Sequence, residues 1–173
     1  MRRVILFIAE GFGTGRIPFA PGTWGSLLGL GWLAILLWPC SPWFFWGGMA
    51  LSVGLAIWIC GQAESILRKK DPSSVVFDEI VAIPVCFIGW TLEAWLRDGI
   101  LPSLGTLLAA GNGLGVLAIF VGFRIFDIFK PWPVRASQAL SGGFGVVVDD
   151  LLAAGYVNAG WLVIWIAKRV AGF

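Results

Sequence analysis

The chain has 173 residues, enough for one domain over 1–173, and is 58% hydrophobic with 11 Trp, 13 Phe and a mean hydropathy of +0.88. A soluble domain of this size cannot bury so much apolar surface, and a net charge of +2 in short scattered clusters argues against nucleic acid as a partner. Histidine is absent, so phosphohistidine chemistry and every imidazole base or ligand are excluded, and catalysis is left to carboxylates, hydroxyls, lysine or a metal ion. The expected class is all-α: a polytopic integral membrane helical bundle of about four to five apolar helices. Cys40, Cys60 and Cys86 are odd in number and form no CxxC pair, which points to unreactive thiols rather than disulfides or zinc.

The N-terminal MRRVILFIAE has basic residues and a short apolar run but no small-residue cleavage site after it, and is not read as a signal peptide. Residues 10–26, EGFGTGRIPFAPGTWGS, carry five glycines, two prolines, two threonines and a serine, which is loop chemistry. An apolar run over 27–38 follows and is closed by Pro39 and Pro42. Residues 43–61 hold no charge and are the cleanest spanning helix, with Trp38, Trp43 and Trp46 placed as aromatics are at a membrane interface. Residues 62–79 are polar. Residues 80–96 are apolar but include Pro84 and Glu93, which predict a kink or partial immersion. After a turn at 97–102, residues 103–123 form another apolar run rich in small residues.

Residues 124–155, RIFDIFKPWPVRASQALSGGFGVVVDDLLAAG, pack three aspartates, a lysine and two arginines between apolar runs. Charged groups near hydrocarbon are expensive unless they pair, bind an ion or reach water. The last apolar run, 151–167, is about one turn short of a comfortable span. If the runs cross alternately, Arg2, Arg3, Arg16, Arg68, Lys69, Lys70, Arg124, Lys130 and Arg135 share one side. The positive-inside tendency makes that side cytoplasmic, together with the polar, working face of the bundle. Lys168 and Arg169 are the misfit.

Three stretches on that side offer chemistry. In 10–26, backbone N–H groups at Gly22 and Gly25, the hydroxyls of Thr23 and Ser26 and the Arg16 guanidinium suit an anion; a Gly/Pro turn with a helix cap is the plainer account. Asp78 and Glu79 follow Asp71 and open an apolar run, and Asp149 and Asp150 do the same further on. One such doublet is accounted for by a helix dipole. Two on the same side point to a shared site for a hard divalent ion, Mg²⁺, bound through oxygen ligands from Asp78, Glu79, Asp149 and Asp150. Asp127 and Lys130, three apart, share a face if helical, and a surface ion pair is their plainer role.

The segments GFGTGRIPFAPGTWGSL, DPSSVVFDEIV, FRIFDIFKPWPVR and GGFGVVVDDLLAA, in this order, resemble the motif series of the bacterial phosphatidylglycerophosphatase A family. Ala82 and Ala154 stand where that pattern usually has glycine. The resemblance implies a helical inner-membrane enzyme that hydrolyses phosphatidylglycerol phosphate to phosphatidylglycerol and inorganic phosphate with Mg²⁺. Its working groups would be Asp78, Glu79, Asp127, Lys130, Asp149 and Asp150, and Pro21, Gly22, Thr23, Gly25 and Ser26 match the loop motif. In the expected arrangement the four doublet acids hold metal. Lys130, with Arg135 or Arg16 and the 23–26 loop, holds the phosphate. The attacking group is water or an aspartate, with Asp127 the best side-chain candidate. The lipid substrate and surrounding membrane lipid are the expected partners, with no obligate protein partner. Cysteine phosphatases are excluded because Trp46, Ile66 and Leu92 stand where Arg is needed after each Cys. A small cation transporter is the rival class, but it predicts acids in mid-span, and only Glu93 lies well inside a run.

Overall fold

The computed structural model of the chain describes residues 1–109 and 111–172. In chain order it forms α1 (Arg2–Ala9), a 3₁₀ segment (Gly11–Arg16), α2 (Pro21–Leu37), α3 (Pro42–Leu67), α4 (Phe77–Cys86), α5 (Ile88–Asp98), α6 (Leu104–Leu108), α7 (Gly113–Phe129), α8 (Val134–Ser137) and α9 (Gly143–Val170). The described residues contain no strand, and the expected all-helical membrane class is borne out. Three helical stretches are long and apolar enough to cross a membrane: α3, α4–α5 taken together, and α9. The apolar α2 is shorter, at 17 residues.

Local chemistry sets the ends of these helices. Pro21 and Pro42 open α2 and α3 at positions where a missing N–H costs nothing, and the Ser41 hydroxyl accepts from the Phe44 N–H. Arg68 and Lys130 close α3 and α7 in the left-handed conformation, with Pro131 barring any continuation of α7. The proline in α4 acts as expected: the helix breaks at Phe87, three residues past Pro84, and restarts as α5.

Two expected runs have different bounds. The 103–123 stretch is not one helix but α6 and α7, with the Asn112 side-chain amide donating back to the Thr106 carbonyl. The last helix begins at Gly143 rather than near 151 and runs 28 residues, about 42 Å at the rise of an α-helix. Asp149 and Asp150 therefore sit in its second turn, not at its start.

The centre of the molecule is α4. Seven of its ten residues are buried, against α2, α3, α7 and α9. Ala82, Ile83 and Cys86 face one apolar cluster, while Val81 faces the other. The α2 seat on α4 is made by Gly25 and Gly29: a Cβ at Gly25 would lie 2.8 Å from the Val76 Cβ, and one at Gly29 would lie 2.7 Å from the Ile83 Cβ. This close approach brings the first turn of α2 beside the first turn of α4. The outward surface is apolar, with Leu51, Leu55 and Trp58 on α3, Leu117 and Val121 on α7, and Val163 and Ile166 on α9 all exposed. That is the surface a lipid-facing bundle presents.

Candidate active site

The starts of α2 and α4, the second turn of α9 and the end of α7 meet around a cavity of about 280 Å³. Asp78 and Glu79 enter it from the first turn of α4, where their charge also favours the helix dipole. Asp150 enters from α9. These three carboxylates each offer an oxygen within 4.8 Å of the others. Asp78 Oδ1, Glu79 Oε2 and Asp150 Oδ2 are buried and accept no hydrogen bond from the described residues. Like charges this close, removed from water and short of donors, call for a cation or a shared proton. An oxygen-only donor set fits a hard divalent ion, so these residues can hold a metal.

Asp149 is turned elsewhere. Its Oδ2 accepts from Lys130 Nζ at 2.6 Å and from Gln138 Nε2 at 3.2 Å, and its Oδ1 accepts from the Asp150 N–H. Lys130 reaches it from the left-handed residue at the end of α7, which swings the ammonium off the helix and over the cavity. Partial burial opposes the lysine charge, but the hydrogen bond and charge of Asp149 outweigh it, and the ammonium is held above the ordinary lysine range.

The expected Asp127–Lys130 pair is replaced by another. Asp127 binds Arg124 at 2.8 Å, one turn back on α7, with both side chains largely buried. Arg124 also donates to the Ser26 hydroxyl at 3.3 Å, and Ser26 in turn donates to the Gly22 carbonyl at 2.8 Å. The Arg124 Nε is buried and has no acceptor among the described residues. A guanidinium with unused donors facing a basic–acidic pocket is suited to a phosphate.

The structure thus gathers Asp78, Glu79, Asp127, Lys130, Asp149, Asp150 and Gly22 around one cavity. A Cβ at Gly22 would strike Glu79 Oε1 and lie 3.2 Å from an Arg124 terminal nitrogen, so a side chain there would displace both cavity groups. Ser26 acts on the cavity only through Arg124, and Gly25 is a packing contact with Val76. Thr23 is half-buried in the first turn of α2 and lies outside the cavity lining. Arg16 is not brought to the site: it is 67% exposed, paired with Glu10 at 2.7 Å, and borders a separate hollow with Arg3 and Phe7. Arg135 is exposed on α8, away from the lining.

Arg124, which sequence reasoning left without a site role, lines the cavity, as do Asp71 and Ser73 of the second acidic stretch, which it noted without placing among the site residues. Arg124 could have been found from its place inside an apolar run three residues before an aspartate, because an arginine there needs a partner. Asp71 is presented by a left-handed backbone (φ 45) whose N–H is held by Glu64 Oε1 at 2.8 Å. No local pattern announces that.

The family model for phosphatidylglycerophosphatase A matches residues 7–165. A phosphatidylglycerophosphatase A of Haemophilus influenzae is 36% identical over 153 residues, covering 88% of this chain and 83% of the relative. The protein of the same name in Escherichia coli is 30% identical over 157 residues, 90% of this chain and 79% of the relative. A Bacteroides thetaiotaomicron protein, provisionally named a phosphatidylinositol-3-phosphatase, is 36% identical over 176 residues, 96% of this chain and 95% of its own. No solved structure matches. The family motifs fall on the helix ends that build the acidic cavity, and the chain belongs to the phosphatidylglycerophosphatase A family, a phosphatase of phosphate monoesters.

Proposed function

We propose that the protein removes the terminal phosphate of phosphatidylglycerol phosphate, giving phosphatidylglycerol and inorganic phosphate, with Mg²⁺ held by Asp78, Glu79 and Asp150. The observation that carries this reading is the pairing, in one cavity, of three carboxylates with unused buried oxygens and two cations, Arg124 and Lys130. The acids suit a metal and the cations suit the phosphoryl oxygens. When bound, Mg²⁺ supplies positive charge against the phosphate as its ester bond breaks.

The remaining work falls to the chain. Arg124, oriented by Asp127 and Ser26, and Lys130, oriented by Asp149, hold and partly neutralise the phosphate. The P–O bond to glycerol breaks, the departing oxygen takes up a proton, and the attacking oxygen completes the phosphate. Two routes supply that oxygen: water directly, or the Asp127 carboxylate through an acyl phosphate that water then opens. Borohydride reduction of enzyme quenched during turnover separates them, because only the acyl phosphate yields a reduced aspartate.

The cavity lies at the end of the bundle where α3 closes in Arg68, Lys69 and Lys70, just before the cavity-lining Asp71, which supports a cytoplasmic site in the bacterial inner membrane. Acyl chains would stay in the inner leaflet while the headgroup enters. The name of the Bacteroides relative makes a 3-phosphorylated inositol lipid the second substrate to test. Purified protein in detergent should release phosphate from phosphatidylglycerol phosphate, stop with EDTA and restart with Mg²⁺. Phosphate release that survives EDTA sinks the metal reading, and faster release from the inositol lipid replaces the substrate.

A further inference from the structure

The three acids come from two helices, α4 and α9, so their spacing depends on how those helices are registered along their axes. The packing between them is smooth. It places small or compact apolar residues, Ala153, Ala154 and Val157 of α9, in one cluster with Ala82, Ile83 and Cys86 of α4. Such surfaces allow close approach, and interhelical hydrogen bonds add to what holds them.

Two side chains of α9 bond polar groups beyond that surface: Trp161, whose Nε1 donates to Glu93 of α5 at 2.9 Å, and Asn158, which meets the α4–α5 break itself. Pro84 cannot donate a backbone hydrogen bond, and the helix breaks at Phe87, so backbone groups on both sides need partners in an apolar setting. Asn158 of α9 supplies them. Its Oδ1 accepts from the Gly89 N–H at 2.7 Å, beyond the break, and its Nδ2 donates to the Val85 carbonyl at 2.8 Å, before it. The same Nδ2 donates at 2.9 Å to Ala154 on its own helix, which holds the amide's orientation. Gly89 leaves this approach uncrowded: a Cβ there would lie 3.2 Å from Asn158 Oδ1 and 3.0 Å from Trp161 Cδ1 and press on both.

We propose that Asn158 is a positioning residue: by bridging both sides of the α4–α5 break it locks α4 and α9 in one axial register and so sets the spacing of Asp78 and Glu79 against Asp150. The inference rests on the reading of those three acids as a cation site. Asn158 lies eight residues beyond Asp150, about 12 Å along α9, and Val85 lies six beyond Glu79, about 9 Å along α4. A slip of one residue would move the two acid groups about 1.5 Å relative to each other. Mg²⁺ demands a near-ideal oxygen shell, whereas Ca²⁺ tolerates a looser one. Loss of the bridge should therefore weaken Mg²⁺ much more than Ca²⁺.

The test is Mn²⁺ binding to purified protein, read by electron paramagnetic resonance, with Mg²⁺ and Ca²⁺ as displacing ions. In Asn158→Leu, which keeps an apolar fill of similar size, Mg²⁺ displacement should weaken about tenfold or more, the range seen for outer-shell changes. Ca²⁺ displacement should change less than about threefold. Turnover should fall in kcat with little change in KM for lipid. Gly89→Ala, which presses on the same amide, should shift the Mg²⁺-to-Ca²⁺ ratio in the same direction and serves if the leucine variant does not accumulate. A lowered thermal midpoint with a wild-type Mg²⁺-to-Ca²⁺ ratio in the variant that accumulates would make Asn158 a stability residue only and overturn the proposal. Asp150→Asn is the separate control: if it binds Mn²⁺ like the wild type, the cation reading fails, whatever Asn158 does.

Discussion

Asp149 and Asp150 are adjacent in sequence and about 100° apart around α9, so one serves Lys130 while the other faces Asp78 and Glu79. Their substitution should separate along the same line. Asp150→Asn and Glu79→Gln should each lower Mg²⁺-stimulated phosphate release by about a hundredfold or more, the scale of losing one aimed electrostatic partner. Both should keep the wild-type thermal midpoint or exceed it, because each relieves repulsion among crowded acids. Arg124→Gln should lower kcat/KM on a similar scale, while Arg16→Gln and Arg135→Gln should stay within about threefold, being exposed and remote. Steady-state kinetics on the three arginine variants checks this directly. Lys130 gives a pH test. Its folded value is raised, so the stability from its pair with Asp149 is complete below the ordinary lysine value of about 10.4 and is lost as pH climbs through the raised value. The difference in thermal midpoint between wild type and Lys130→Gln should be flat from about pH 6 to pH 9 and narrow only above about pH 10.4.

At the scale of elements, α2 and α4 pack closely beneath the site, and glycine is what lets them touch. Gly29 and Gly31 are two apart on α2 and should respond oppositely to alanine. At Gly29 the added methyl meets Ile83 and the Ile80 carbonyl, so Gly29→Ala should destabilise by about 1–3 kcal/mol through overpacking. At Gly31 nothing lies within 4 Å and the residue is exposed, so Gly31→Ala should stabilise by up to about 1 kcal/mol through helix propensity. Thermal unfolding in detergent reads both. The end of α7 shows the converse device: the helix carries Arg124 and Asp127 to the cavity, then a left-handed Lys130 leaves the helical path so that its ammonium meets a different helix.

For the whole molecule, the acidic cavity and the turn between α2 and α3 lie at opposite ends of the bundle. Cys40 sits in that turn and is exposed, whereas Cys60 and Cys86 are buried. With the cavity on the cytoplasmic side, a membrane-impermeant maleimide should label Cys40 in intact spheroplasts and lose that labelling in Cys40→Ser. Labelling that appears only after the membrane is opened would reverse the proposed orientation.

Much of this was legible along the chain. Membrane class, the helical fold and the family all rest on composition, run length and short motifs, which are local properties, and the same motifs single out the two acidic doublets as candidates. The Pro84 kink was equally local, because proline removes its own donor wherever it stands. Other features depend on which helix end meets which. That Asp149 leaves the acid cluster for Lys130, that Arg124 rather than Arg16 or Arg135 lines the cavity, and that Asn158 answers a break about seventy residues earlier all follow from the packing of α4 against α2, α7 and α9. Only the tertiary structure decides those pairings, because a side chain's partner across a helix interface is set by axial register and rotation, and neither is written in the spacing of residues on one strand of sequence.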